Sequence, residues 1–534
     1  MNLISDVSGN KLRGGFYTPE KIVDFILKWS FNGNNHYDIL EPSCGDGIFI
    51  KRIIDNNYGY NSITGIEIDE NEIQKVKNMK LDRTRMINID FHKFCNNTDL
   101  KYDLIIGNPP YIRYQFFNSK QRDEANTIFK KANIKHSKLS NAWVSFVIGS
   151  TLLLKEKGKM AFVLPAELLQ VGYAKRLRRY LGRFFNKISI ISFQKLVFPS
   201  IQQEVILLLC EKVGKEFHNI EHIEVNNITE LSNIDIANIK CPQKKIDFKS
   251  NKWTFYFLEQ SEIDFLNKMM NQRRILPLRS YASVEVGMTT GWNKFFTVPK
   301  ETIERYDLIE YAYPMAGRSV QVPSTIYTND DWKCNVENGS RAFFLKFPTR
   351  SQLKNRTLEY VEKAEKQGIH DGYKCRIRDE WHIVPSAWIS AGLFTRRNNK
   401  FPKMILNDVD AYTTDTMHRV QPKEGIEIKS LTASYYNSLT LAFTEICGRS
   451  HGGGALELMP NEVEDILFPY NKENKEMIEK IDKMFRDGKD IMDILEYTNN
   501  IILIKNYKLT KDEVDIATNI WLKLQKRRIN RNSK

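Results

Sequence analysis

The residues best suited to chemistry are Asn108-Pro109-Pro110-Tyr111. They follow a short apolar run, Leu104 to Ile106, which Gly107 ends. A run of this kind bounded by Gly and Pro reads as a buried parallel strand, not a helix. Pro109 and Pro110 each hold φ at about −65° and supply no N–H, so the loop is stiff and its carbonyls are not used by a sheet ladder. An exocyclic amino group on a base is a poor nucleophile because its lone pair is delocalised. Two acceptors aimed at its two hydrogens would draw it toward a tetrahedral geometry and localise that pair. The side-chain oxygen of Asn108 and the carbonyl of Pro109 are two such acceptors. Tyr111 offers a flat face for stacking, a contact worth about 1–3 kcal/mol per base. A stiff loop at the carboxyl end of a parallel strand is also where open α/β sheets place ligands. The four residues alone leave open a plain proline-rich turn over a buried tyrosine.

Other segments must position this loop. Ile39 to Glu41 reads as a strand, Pro42-Ser43-Cys44-Gly45-Asp46-Gly47 as a glycine-rich turn, and Ile48-Phe49 as the start of a helix. Glycines let the backbone approach a ligand closely. The third glycine of a dinucleotide fingerprint is missing, which counts against a nicotinamide cofactor. Ile63 to Asp69 reads as a second strand, and an acid at its end, Glu67, can accept both hydroxyls of a ribose. A third strand, Met86 to Ile89, leads into Asp90-Phe91, where Asp90 can accept from an adenine amino group and Phe91 can stack on the ring. Lys157 to Pro165, Ser189 to Phe193 and Glu204 to Cys210 read as further strands, with Phe198-Pro199 in the last connection. Ahead of them all, Thr18 can cap a helix with Pro19 in its first position. This order and spacing predict a nucleoside-binding α/β domain.

Composition narrows the class. At 534 residues, two or three domains are expected. A formal net charge of +14 points to a polyanionic partner, nucleic acid first. The seven cysteines form no C-x-x-C pair, which argues against a disulfide framework and for a reducing compartment. No apolar run approaches the roughly 20 residues of a membrane helix, and no signal-peptide pattern is present. A cytoplasmic protein without a membrane partner is expected.

The order of Phe16-Tyr17-Thr18-Pro19, Glu41-Pro42-Ser43-Cys44-Gly45, Glu67, Asp90-Phe91 and Asn108-Pro109-Pro110-Tyr111 resembles the gamma class of N6-adenine DNA methyltransferases, the TaqI type. The similarity covers the first 240 residues closely and the rest loosely. It implies a Rossmann-like S-adenosylmethionine-dependent methyltransferase domain at 1–240. A mixed α+β DNA target-recognition domain would follow at 241–470, and a helical basic extension at 471–534. By the same resemblance, Thr18, Glu41, Ser43, Cys44, Gly45, Glu67, Asp90, Phe91 and Asn108 hold S-adenosyl-L-methionine. Asn108, Pro109, Pro110 and Tyr111 hold a flipped-out adenine, with Phe198 as the second stacking aromatic, and no metal is required. The implied partner is double-stranded DNA, bound by a monomer. The chain begins almost at the cofactor helix, so modification without cleavage is expected, with any cognate restriction endonuclease a separate protein. RNA-base methylation, protein-glutamine methylation and a catalytically silent DNA-specificity protein are the rival readings.

Two patterns mislead. His218-Asn219-Ile220-Glu221-His222 spells the H-x-x-E-H zinc motif, which must lie on a helix, whereas this stretch alternates like a strand. Gly448-Arg449-Ser450-His451-Gly452 spells a nucleophile elbow, but no histidine follows His451 to complete a hydrolase triad. Cys241 to Lys245 reads as a linker. Tyr281 to Val298 reads as strand-like around Gly287. Arg376, Arg378, Trp381, Arg396 and Arg397 interleave cations with an aromatic, a mixture suited to phosphates and base edges. Glu457 to Tyr470 resembles the family's closing segment of the recognition domain, and Lys523 to Lys534 reads as a basic tail for non-specific phosphate contacts or as disordered chain.

Overall fold

A nine-stranded sheet carries the first half of the chain. Its strands are β1 (Tyr37–Glu41), β2 (Tyr60–Glu67), β3 (Thr84–Asn88), β4 (Tyr102–Gly107), β5 (Leu154–Pro165), β6 (Lys187–Phe193), β7 (Val205–Glu211), β8 (Asn219–Val225) and β9 (Lys244–Lys245). This is a computed structural model. It describes residues 17–31, 36–79, 81–135, 141–198, 204–212, 218–234, 244–246, 252–451 and 453–530. These divide into two compact units, one reaching to Gln260 and one running from Ser261 to Ile529.

The sheet order is β3-β2-β1-β4-β5-β7-β6-β8-β9. Strands β1 to β5 run parallel, and β7 lies antiparallel between β5 and β6. Runs such as Leu104-Ile105-Ile106 and Ile206 to Cys210 are almost wholly buried. Continuous apolar strands of this kind suit a sheet covered on both faces. The covering helices are α1 (Glu20–Ser30), α2 (Ile48–Asp55), α3 (Glu70–Asn78), α4 (Phe91–Asn96), α5 (Ser119–Lys131), α6 (Ala142–Leu153) and α7 (Lys175–Phe184). Helix α6 buries every residue from Ala142 to Thr151, and an apolar helix of that kind belongs in a core. The order reverses between β1 and β4, and open α/β sheets bind ligands at such a switch point.

Two local expectations change. Helix α1 has Pro19, not Thr18, at its cap position, and the Thr18 hydroxyl is used elsewhere. Of the expected linker, Cys241 to Gln243 lie outside the described residues. Lys244 and Lys245 are not linker: they form β9 against β8, and the Lys244 ammonium donates to the Tyr256 carbonyl at 2.8 Å. The division between units falls after Gln260, downstream of that segment.

The second unit mixes strands and helices. A five-stranded sheet pairs Ala282–Val286 with Met417–Pro422 antiparallel, and Ile326–Tyr327 with Met404–Asn407 parallel. A four-stranded sheet includes Ala312–Ala316 and Phe343–Leu345. Helices α8 (Ile428–Tyr435) and α9 (Ser438–Cys447) are almost fully buried, and the long α10 (Lys511–Ile529) packs along α9. The described part of the expected basic tail is helical, and two of its cations are held within the fold. Arg528 is buried and pairs with Glu445 at 2.7 Å, and Lys523 pairs with Glu262 at 2.9 Å. Among the described residues no helix is long and apolar enough to cross a membrane.

Candidate functional site

The carboxyl ends of β1 to β4 frame a cavity of about 450 Å³. Each strand delivers one polar residue to it: Glu41 from β1, Glu67 from β2, Asp90 just after β3 and Asn108 just after β4. The glycine-rich turn folds over β1. Its Cys44 N–H donates to the Ile66 carbonyl and its Gly45 N–H to Glu67 Oε2, both at 2.9 Å. Gly47 leads into α2 with φ +77°, and a Cβ there would stand 2.7 Å from a Val76 methyl. That position suits glycine alone. The other oxygen of Glu67 accepts the N–H groups of Ile68 and Asp69, each at 2.9 Å, so the carboxylate is fixed.

Six carboxyl side chains line the cavity (Glu41, Asp46, Glu67, Asp69, Glu72 and Asp90), and among the described residues no lysine or arginine does. Glu41 is buried and its Oε2 has no hydrogen-bond partner among the described residues. Burial pushes its carboxyl well above the ordinary range, with Asp46 and Glu67 adding to the effect. Burial likewise raises Asp46 and the thiol of Cys44. A buried acceptor among carboxylates suits a ligand bringing cationic charge and hydroxyl or amino donors.

Asp90 caps α4, accepting from the N–H of His92 at 2.9 Å and of Lys93 at 3.3 Å. Its side chain also meets His92 Nδ1 at 3.2 Å and accepts from Gln121 Nε2 at 3.2 Å. Burial works to raise its pKa, but the hydrogen bonds and charge of His92 and the bond from Gln121 outweigh it, so Asp90 sits below the usual carboxylate range. His92 reaches on to Ser145 Oγ at 2.8 Å. Phe91 stacks on Phe146 with centroids 4.8 Å apart. Gly149 permits this packing, because a Cβ there would lie 2.9 Å from the Phe91 ring.

The Asn108 amide N–H donates to Thr18 Oγ1 at 3.2 Å, and its backbone carbonyl accepts from Ser43 Oγ at 3.3 Å. The first bond makes Nδ2 the donor end of the amide, and Oδ1 is then the acceptor end. The stiff loop is thus tied to both the entry of α1 and the glycine-rich turn. Thr18, Glu41, Ser43, Cys44, Gly45, Glu67, Asp90, Phe91, Asn108 and Pro110 all line one cavity. Pro109, Tyr111 and Phe198 do not line it. The Tyr111 hydroxyl donates to the Val163 carbonyl at 3.2 Å, and burial raises its pKa. Its ring packs on an apolar cluster that includes Phe193, Val197, Phe198 and Val205. Sequence reasoning missed His92, Phe116, Gln121 and Phe146 as wall residues. Only Gln121 carried a signal, as the N3 partner of Asn118 in a capping box.

Of the expected DNA-reading residues, four are engaged within the fold. Arg378 donates to the carbonyls of Trp381 and Thr289. Trp381 Nε1 donates to Glu365, and Arg396 and Arg397 both pair with Glu457. Arg376 is exposed. The H-x-x-E-H stretch leads into and occupies strand β8.

Residues 45–198 match the family model described as Eco57I restriction-modification methylase. Residues 250–503 match that of the Type II methyltransferase M.Eco57I C-terminal domain. The chain is 25% identical over 477 residues to the Type II methyltransferase M.AccI of Acinetobacter calcoaceticus, covering 84% of each. It is 30% identical over 230 residues to the Type II methyltransferase M.HincII of Haemophilus influenzae, covering 42% of each. In fold it resembles the Type IIL restriction-modification enzyme MmeI, solved in complex with DNA. The TM-score is 0.63 at 13% identity, over 98% of this chain and 80% of that one.

Proposed function

We propose, from the premise that this chain belongs to the Eco57I family of Type II restriction-modification methyltransferases, that it methylates N6 of adenine in duplex DNA with S-adenosylmethionine as donor. The observation that carries this reading is the acid-lined cavity at the switch point, with the Asn108 loop clamped at its edge. S-adenosylmethionine, when bound, supplies a methyl group on a sulfonium sulfur. The residues fit that group: the Glu41 carboxyl suits its cationic end, Glu67 its ribose, and Asp90 and Phe91 its adenine. The six carboxyl groups among the described wall residues suit a cofactor that carries positive charge.

The target adenine must leave the stack to reach the loop. Asn108 Oδ1 and the Pro109 carbonyl accept the two N6 hydrogens and localise the lone pair on nitrogen. The same acceptors stabilise the positive charge that grows on N6 as the new N–CH3 bond forms and the donor's S–CH3 bond breaks, its sulfur leaving as a neutral thioether, and one N6 proton then leaves to solvent. Pro109 and Pro110 keep the acceptors from relaxing, so their alignment costs little at the moment of reaction. Tyr111, which directly follows the acceptors, and Phe198 are assigned as the two aromatic neighbours of the extruded base, and both must turn out of the apolar cluster they occupy here to reach it.

The test is transfer of tritiated methyl groups to DNA, RNA and protein in parallel, followed by nucleoside analysis of labelled DNA. N6-methyladenine in DNA is the expected product. Label in RNA or in protein glutamine alone would overturn the reading.

A further inference from the structure

The turn Thr289–Lys294 and the short helix Tyr373–Arg376 form one surface of the second unit. Arg378 binds them together: its guanidinium donates to the Thr289 carbonyl at 2.9 Å and to the Trp381 carbonyl at 3.1 Å, and it lies over the Phe296 ring. Gly291 seats the turn so closely that a Cβ would stand 2.9 Å from Cys375 Sγ and 3.1 Å from Lys374 Cβ. Three large apolar side chains are exposed on this built surface: Trp292 at 48%, Tyr373 at 65% and Ile377 at 59%. Single exposed apolar residues are ordinary, but a cluster on a braced surface marks an interaction site. Lys294, Lys374 and Arg376 are exposed beside them, and no ion pair holds any of the three among the described residues. Elsewhere in the unit many surface cations are paired, as Lys300 is with Glu304, Lys429 with Glu479 and Lys472 with Glu473. A cavity of about 600 Å³ opens next to Lys374 and Ile377, with Asp379 and Glu380 on its wall.

We propose that this surface is where the second unit grips duplex DNA. Lys294, Lys374 and Arg376 contact phosphates, and Trp292, Tyr373 and Ile377 press on base or sugar faces. The charge complementarity argues for a polyanion, and the exposed apolar side chains suit a duplex, whose sugars, thymine methyls and wedged base steps offer apolar contact. Carboxylates beside the patch can accept from exocyclic amino groups, so this surface also contributes to base choice. The inference rests on the DNA reading above and deepens it.

The test uses the full chain. The probes are a fluorescein-labelled random-sequence 30-base-pair duplex for binding and unmethylated plasmid DNA for methylation. The triple variant Lys294→Ala/Lys374→Ala/Arg376→Ala should lower the slope of log affinity against log salt by about 2 to 3, since each lost phosphate contact removes roughly 0.9. The control Lys300→Ala/Lys429→Ala/Lys472→Ala removes equal charge elsewhere and should leave the slope unchanged. Trp292→Ala/Tyr373→Ala should raise the KM for plasmid at least tenfold, with S-adenosylmethionine affinity measured by calorimetry within twofold of the unaltered chain. An unchanged slope in the first triple variant, or equal losses in both triples, overturns the assignment. So does a KM for plasmid within twofold in the aromatic variant. If the unaltered chain binds the duplex but transfers no methyl group to plasmid, the methylation reading fails while the salt slope still decides this surface.

Discussion

Asn108→Ala separates the two jobs assigned to the loop. In the ground state the change removes the 3.2 Å hydrogen bond from Nδ2 to Thr18. Such a bond contributes about 0.5–1.5 kcal/mol. The Asn108 carbonyl, held by Ser43 at 3.3 Å, survives the substitution, as do Glu41, Glu67, Asp90 and Phe91 on the wall. Cofactor affinity should therefore weaken by no more than about tenfold, the equivalent of 1.4 kcal/mol. In the transition state the loss is of a fixed acceptor for a nitrogen gaining positive charge. Removing one donor or acceptor of that kind costs about 10²–10³ in rate, or roughly 2.7–4 kcal/mol. Single-turnover transfer of tritiated methyl to plasmid DNA at saturating cofactor measures the second quantity, and calorimetric titration with S-adenosylmethionine measures the first. A rate above about a tenth of the original would refute the acceptor role. A loss of cofactor affinity as large as the loss of rate would refute the separation, making Asn108 a cofactor ligand only. Asn108→Asp keeps the shape but adds a seventh carboxyl to a wall whose described residues already include six, and it should not rescue the rate.

Further outcomes follow from burial and charge. Phe198 is 6% exposed within an apolar cluster, so Phe198→Ala should cost about 3–5 kcal/mol in chemical denaturation, while a stacking role adds loss of 2-aminopurine emission change at the target base. Turnover and emission both unchanged would leave Phe198 as packing alone. Arg528 and Glu445 form a pair 2% and 4% exposed, so Arg528→Leu should destabilise the chain by about 3–5 kcal/mol and Arg528→Leu/Glu445→Leu by much less. Equal unfolding midpoints for the single and double variants would contradict that reading. His451, Arg397 and Arg396 hold Glu457 down to about 2 from its ordinary 4.5, with His451 the largest influence. The stabilisation is complete above about 4.5 and disappears as pH falls toward 2, because the unfolded chain takes up the proton first. Thermal melts from pH 6 to 2.5 should show a shallower acid slope for Glu457→Gln, and an unaltered slope would remove Glu457 as the cause.

Much of the first unit was legible in the chain itself. Ile39 to Glu41, Ile63 to Glu67 and Leu104 to Ile106 are apolar runs ended by an acid, a glycine or a proline, and each becomes a strand. Strand formation there depends on nearest neighbours and on burial of both faces, which local composition reports. The positions of Glu41, Glu67, Asp90 and Asn108 at strand ends followed from the same pattern.

What the tertiary structure decided is every property that depends on distant partners. Thr18 and Asn108 stand 90 positions apart, and only the packing of α1 beside the β4 loop turns a would-be helix cap into an acceptor for the amide. Gln121 showed no link to Asp90 in the sequence, nor Ser145 to His92, because those contacts arise where α4, α5 and α6 meet. Lys244 lay in an expected linker and instead caps the sheet edge. The second unit was least legible, since its strands are short and pair across gaps such as that between Ala282–Val286 and Met417–Pro422. Composition counts charges but cannot say which are neutralised. Arg378, Arg396, Arg397 and Arg528 read alike in the chain, yet each is held by carbonyls or carboxylates. Arg376 beside them stays exposed to solvent. A charged side chain becomes architecture or interface according to whether an acceptor distant in sequence reaches it, and only the folded chain sets that distance.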